Sequence, residues 1–232
     1  MSQSVFAVAL LVAFTGFGAE PPPDLMERLA QHSQRIQKAA REGSYTVLTL
    51  AEELDGDGKV LHTQKFEMHF NTQGGHRERT LIKAEKDGKD VTDEQRRKLK
   101  AQSGDSTELP FATKEQPKYR FSVVGPDQSE PSLLRIHIEP KGGKKSEKLM
   151  IGEAIVDPVK GEVVQLSGHL SENPSHVDRL HIRIEFNEES TDGRLMSEMD
   201  VQGDGGFLFI KKHFRSSTTY SGYNLLGALR PQ

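Results

Sequence analysis

The chain has 232 residues, with 31 basic and 34 acidic side chains for a formal net charge of −3, and it contains neither cysteine nor tryptophan. A balance this near neutrality leaves no electrostatic footprint for nucleic acid. The lack of cysteine excludes disulfides, thiolate zinc sites, a cysteine nucleophile and a cysteine-borne lipid anchor.

Residues 5–14 (VFAVALLVAF) form an uncharged run that is too short to span a bilayer. Small residues follow it, and then Pro21, Pro22 and Pro23. This pattern reads as a secretory signal peptide over residues 1–19, cleaved after Gly18 or Ala19. Residues 20–232 are then a single domain, long enough to bury a substantial core. It is periplasmic or secreted, and its mature form does not span a membrane.

Residues 24–42 place Leu25, Leu29, Ile36 and Ala40 at helical spacing, with His32 between them. The spacing predicts one long amphipathic helix with its narrow apolar face on a sheet. From residue 44 the period changes to two. Residues 44–55 put Tyr45, Val47 and Thr49 on one face and Leu48, Leu50 and Leu54 on the other, as in a strand covered on both sides. Asp55, Gly56, Asp57 and Gly58 turn the chain into residues 59–71, where Phe66, Met68 and Phe70 alternate with Lys65, Glu67 and His69. A turn at 72–75 and a third strand over 76–85 follow, closed by Lys86, Asp87, Gly88 and Lys89. Thr92 and Gln95 have the spacing of a capping box and open a short polar helix that runs to about residue 101. Residues 103–118 show no periodicity and are long for a connection, which predicts a lid or a disordered loop.

Strand patterns then resume. Tyr119, Phe121 and Val123 alternate over 119–124, and Leu134, Ile136 and Ile138 alternate with Arg135 and His137. After a basic tip at 141–148, residues 149–156 and 162–170 form a hairpin around the turn at 157–161. Residues 179–187, with Leu180, Ile182, Ile184 and Phe186 inward, pair with 194–201 through Thr191, Asp192 and Gly193. The glycine-rich stretch 203–206 reverses the chain into a last strand over 207–216. The fold class is mainly β: a curved antiparallel sheet of about ten strands with one long N-terminal helix and one short helix.

The chemistry of the sequence is sparse. Of nine histidines, His69, His137 and His181 fall on the polar faces of their strands, and neither a His-x-His nor a His-Glu-x-x-His spacing occurs. Residues 55–58 and 200–206 lack the spaced ligands of a calcium loop and read as turns. A Gly-x-Ser-x-Gly elbow is absent, and carboxylates on one-faced strands are what a solvated face requires. No catalytic residue, metal ligand or cofactor is assigned, and the chain reads as non-enzymatic.

Several segments together resemble a known family. They are the signal peptide, the single amphipathic helix, the strand from Tyr45, the hairpin ELDGDGKV at 53–60, the turn KDGKDVT at 86–92 and the segment GEAIVDPVKGEVV at 152–164. This order resembles bacterial periplasmic proteins of the outer-membrane lipoprotein-sorting (LolA-like) group, whose strand, Asp-Pro turn, Gly-Glu-Val, strand unit the last segment matches. The resemblance implies an incomplete barrel whose concave face is covered by helices and receives an acyl chain or another hydrophobic ligand. The group also includes envelope and stress-sensing proteins on the same scaffold.

The expected function is therefore binding of a lipid, acyl group or lipoprotein on the concave face. Phe66, Met68, Phe70, Leu134, Ile136, Ile138, Leu180, Ile182, Ile184 and Phe186 are the candidate lining. The alternative is a cell-envelope interaction or sensor module with a filled core, binding a protein partner through a sheet edge or the basic tip. A hydrolase or metal-dependent enzyme ranks third.

Overall fold

The computed structural model describes residues 18–73, 76–99, 108–191, 193–207 and 210–225. Helix α1 (Pro23–Glu42) starts with Pro23 in its first turn, where the missing N–H is not needed and the fixed φ is already helical. Asp24 in the first turn and Arg41 in the last complement the helix dipole. Leu25, Leu29, His32, Ser33, Ile36 and Ala39 form the buried stripe, at the spacing the sequence shows. The helix ends at Gly43, whose N–H donates to the Ala39 carbonyl at 3.0 Å. A Cβ at Gly43 would come within 2.7 Å of that oxygen, so the tight exit into the first strand requires glycine.

The strands are β1 (Ser44–Leu54), β2 (Val60–Gln73), β3 (His76–Lys86), β4 (Lys89–Asp90), β5 (Tyr119–Pro126), β6 (Leu134–Pro140), β7 (Met150–Asp157), β8 (Glu162–Leu170), β9 (Val177–Glu185), β10 (Glu188–Ser190), β11 (Gly193–Leu195), β12 (Glu198–Phe207) and β13 (Ile210–Asn224), with α2 (Thr92–Leu99) after β4. Eleven of them form one sheet in the order β4-β3-β2-β1-β13-β12-β9-β8-β7-β6-β5, and β10 and β11 form a separate hairpin. Every pairing is antiparallel. The end strands β4 and β5 are not paired with each other, so the sheet is open.

The sheet is also rolled. Met68 on β2 and Tyr119 on β5 line the same cleft, although their strands would lie roughly 38 Å apart in a flat sheet at the usual spacing of about 4.8 Å per strand. Strand register traces one row of inner-face side chains across this curve: Ala84, Phe66, Thr49, Thr218, Met199, Ile184, Leu166, Ala154, Ile136 and Val123. The main core lies at the β5 end of that row, where Leu25, Leu29 and Ile36 of α1 belong to one cluster with Val123, Leu134, Ile136, Ile138, Ala154, Val156, Val163 and Leu166.

The sheet, the long helix and the short helix agree with the sequence reading, and five local expectations are corrected. First, β1 is covered on one side only: Tyr45 and Val47 are buried, whereas Leu48 and Leu50 are 37% and 40% exposed. Second, Thr92 and Gln95 form no capping box. The Gln95 N–H donates to the Val91 carbonyl, and the Thr92 hydroxyl accepts the Ala84 N–H at 2.9 Å, which ties α2 to β3.

Third, the described part of the unpatterned segment packs into the core instead of forming a disordered loop. Leu109, Phe111 and Ala112 are buried, and the Phe111 ring stacks on Phe121 with centroids 5.2 Å apart. Fourth, between the partners β9 and β12 the chain makes the β10–β11 ear, which carries the buried Leu195.

Fifth, Gly203, Gly205 and Gly206 lie within β12, and β13 runs on to Asn224. At Gly203 a Cβ would stand 2.6 Å from Cζ of Phe214, and at Gly205 it would stand 2.2 Å from the His176 carbonyl oxygen. These glycines allow close approach to the neighbouring chain where a turn was expected. The signal segment up to residue 17, part of the turn at 72–75, residues 100–107 and Asp192 lie outside the described residues.

Candidate binding cleft

A cleft of about 640 Å³ opens where α1 and residues 108–110 meet the inner faces of β1, β2, β9, β12 and β13. Ile36 and Ala40 of α1 with Leu109 and Pro110 make one wall. Tyr45, Val47, Thr49, Met68, Phe70, Thr218, Tyr220 and Tyr223 make the facing wall, and Met150, Leu166, Leu170, Ile182, Ile184, Leu195, Met196 and Met199 lie between them.

Strand parity places these side chains on one face. Val47 is registered with Met68 on one side and Tyr220 on the other, and Met199 with Thr218 and Ile184. Aromatic rings stiffen the Tyr45 end, where Phe70 and Tyr223 stack against Tyr45 with centroids at 5.1 and 5.2 Å. The Tyr223 hydroxyl donates to the Met196 carbonyl at 2.9 Å, and burial raises the Tyr223 phenol pKa. Tyr220 is pushed up to about 12 by burial and by the neighbouring Tyr45, so both phenols are neutral at physiological pH. The hydroxyls of Thr49 and Thr218 bond each other at 3.1 Å, which satisfies two polar groups on an otherwise apolar wall.

The rim is charged. Glu108, Glu147 and Lys148 border the opening. The Glu108 carboxylate pairs with Arg41 at 3.4 Å and with Lys114, which ties the end of α1 to the segment that closes the cleft.

The middle of α1 is held by a histidine that the sequence marked only as lying on the helix. His32 is fully buried. Its Nδ1 accepts the Val163 N–H at 3.1 Å. Nδ1 must therefore keep its lone pair, and Nε2 carries the proton that meets the Arg194 carbonyl at 2.7 Å. Burial lowers the pKa below its ordinary value. The neutral ring thus staples α1 to β8 and to the β10–β11 ear.

Of the residues expected to line a ligand site, Met68, Phe70, Ile182 and Ile184 line the cleft. Phe66 is half-buried further along β2, paired with Thr49 and Ala84. Leu180 borders a separate depression with Arg179 and Asp204. Leu134, Ile136, Ile138 and Phe186 are buried in the core, the last three with no exposed surface. The sequence reading did not pick out Tyr45, Tyr220, Tyr223, Leu109 or the methionines at 150, 196 and 199. The alternation Tyr45, Val47, Thr49 was visible, whereas Tyr220 and Tyr223 lie beyond the point at which the last strand was expected to end.

Among the described residues no group of three or more His, Asp or Glu side chains gathers as a metal site would, and no helix is long and apolar enough to cross a membrane. Taken together, the protein is an open antiparallel half-barrel with a helix across its inner face and an apolar cleft beside that helix.

No protein-family model and no curated protein sequence matches the chain. Among solved structures it is similar to a DUF1329 family protein from Desulfovibrio piger, at 12% identity over 91% of this chain and 96% of that one, with a TM-score of 0.43. It is also similar to a LolA superfamily protein from Nitrosomonas europaea, the group that the sequence resembles, at 7% identity over 87% and 94% of the two chains, with a TM-score of 0.34. A chain of the MucA/MucB complex from Pseudomonas aeruginosa is similar at 11% identity over 85% and 94%, with a TM-score of 0.27.

Proposed function

We propose that this is an exported, non-enzymatic protein that shelters an acyl chain, a lipid or the acyl group of a lipoprotein in the cleft beside α1. The observation that carries this reading is the cleft itself. Its volume of about 640 Å³ falls in the range of small-molecule sites, about 300–1,000 Å³, and its walls are aliphatic, aromatic and thioether groups. Apolar surface left in water forgoes roughly 25 cal/mol per Å², so the half-buried Met68, Ile182, Ile184 and Met199 gain when a hydrocarbon chain covers them. The charged groups lie at the rim, where the head of an amphiphile would stay in water. The signal segment supports delivery to the periplasm or outside the cell.

The experiment is native mass spectrometry of protein purified from the periplasm without detergent. Acyl-containing adducts are expected on the wild type and lost in Ile182→Asp or Met68→Asp, with folding confirmed by circular dichroism. An apo protein that takes up no added fatty acid or lipopeptide overturns the reading.

A second reading, a module for an extended protein partner, is favoured by one observation at the free side of β5. The Val123 N–H donates to the Ala19 carbonyl at 2.7 Å, and the Val123 carbonyl accepts the Gly18 N–H at 3.2 Å. That edge pairs here with backbone at the expected signal cleavage site, as a strand edge does in strand addition. A co-purified polypeptide in the same spectra, with no lipid, would place this reading first.

A further inference from the structure

Four of the six methionines in the chain line the cleft: Met68, Met150, Met196 and Met199. They come from β2, β7, the β11–β12 link and β12, segments far apart in sequence that only the rolled sheet brings together. Met150 also belongs to the core cluster, but the packed half relies mainly on other side chains. Its largest fully buried apolar side chains are branched or aromatic, among them Phe111, Phe186, Ile136, Ile138, Val156 and Val163.

A methionine side chain is unbranched, has three rotatable bonds and a polarisable sulfur, and fills irregular space at little cost; surfaces that accept several partners use it for that reason. Met68, Met196 and Met199 are half-buried, Met196 being packed against the core cluster, so Met68 and Met199 have the most room to follow a ligand. Thr49 and Thr218 between Met68 and Met199 satisfy each other, and the aromatic stack at Tyr45 gives the cleft one stiff end.

We propose that the methionines make the cleft adaptable, so that it takes acyl chains over a range of lengths, the chains differing in how far they extend from the Tyr45 stack into the methionine-lined part. This rests on the acyl-binding reading above. A rigid hydrophobic pocket separates ligands by about 10-fold or more for each methylene. The adaptable cleft lets affinity rise smoothly along the series, by up to about 4-fold for each methylene buried.

The test is calorimetric titration of the lipid-free protein with decanoate, tetradecanoate and octadecanoate, beside the double variant Met68→Ile, Met199→Ile. Isoleucine is close in volume, suits a strand and is stiff at χ1. The expected result is an affinity that rises smoothly from decanoate to octadecanoate in the wild type, and in the variant an optimum at one length, with the longer chains weakened by about 10-fold or more.

Saturable binding with an optimum at one length in the wild type overturns the inference and leaves the acyl reading intact, as does a variant whose affinity rises as smoothly as that of the wild type. Binding of none of the three overturns the acyl reading, and the methionine methyl resonances then decide. Sharp, motionally averaged signals from Met68, Met196 and Met199 support an adaptable cleft for some other apolar ligand. Methyls as rigid as that of Met150, which is only 9% exposed, overturn it. The same spectra report whether the variant is folded.

Discussion

The row of registered side chains on the inner face passes through two regions with different fates. From Val123 through Ile136 and Ala154 to Leu166 every residue is buried, whereas Ile184, Met199, Thr49 and Phe66 in the same row are only half-buried, with the buried Thr218 between them and the buried Ala84 at the far end. Sheet, parity and apolar character continue across the boundary; what changes is the cover. Leu25, Leu29 and Ile36 of α1 and the anchor Phe111 sit over the first region, and over the second the helix stands off and leaves the cleft. One sheet thus contains a filled core and an open site, and the difference is set by where a single helix and one short loop segment lie.

The largest expected effect contrasts the two regions directly. Phe111→Ala should lower unfolding stability by about 3–5 kcal/mol, since it empties a fully enclosed aromatic site. Ile182→Ala in the cleft should cost about 1 kcal/mol, because much less of its surface leaves water on folding. Urea denaturation of the two variants measures the contrast, and equal losses would mean that the cleft is packed like the core.

His32→Ala removes the staple between α1, β8 and the ear, and leaving the buried Val163 N–H unpaired should cost about 1–3 kcal/mol. The native state binds the His32 proton more weakly than the unfolded chain, whose pKa is near the ordinary 6.5. Stability therefore falls as pH drops below about 6.5 and levels off once the depressed native pKa has been passed. Stability curves between neutral and mildly acidic pH should show this slope in the wild type and lack its His32 component in the variant.

Tyr220 tests the cleft wall more gently. Its phenol should ionise near 12, and the unfolded chain loses that proton near 10. Native stability therefore declines as pH rises through that interval. Phenolate absorbance in Tyr220→Phe compared with wild type isolates the step. The smallest effect is expected on the outer face of β1: Leu48→Asn, at a position 37% exposed, should leave acyl uptake unchanged, whereas Val47→Asn on the inner face should reduce it. Equal losses at these neighbouring positions would show that parity does not separate the two faces.

Much of this architecture is legible in the residues. The spacing of Leu25, Leu29 and Ile36, the alternation at Phe66, Met68 and Phe70, and the turn at Asp55, whose carboxylate accepts the Asp57 and Lys59 N–H groups, are local signals because each depends on neighbours a few residues away. The same locality misled at residues 203–206, where glycine ordinarily means a turn and here means close packing against His176 and Phe214. It misled again at residues 108–112, where a segment with no period supplies Phe111 to the core.

By itself, the sequence determined the helix, most of the strands and which side chains share a face, because the periods of 3.6 and 2 are properties of the backbone. Only the tertiary structure decided which of those apolar faces is core and which is cleft. Ile136 and Ile184 look alike in sequence and lie in one row of the sheet. The first has α1 and Phe111 above it and the second opens on empty space, an outcome set by the curvature of eleven strands and the line taken by one helix across them.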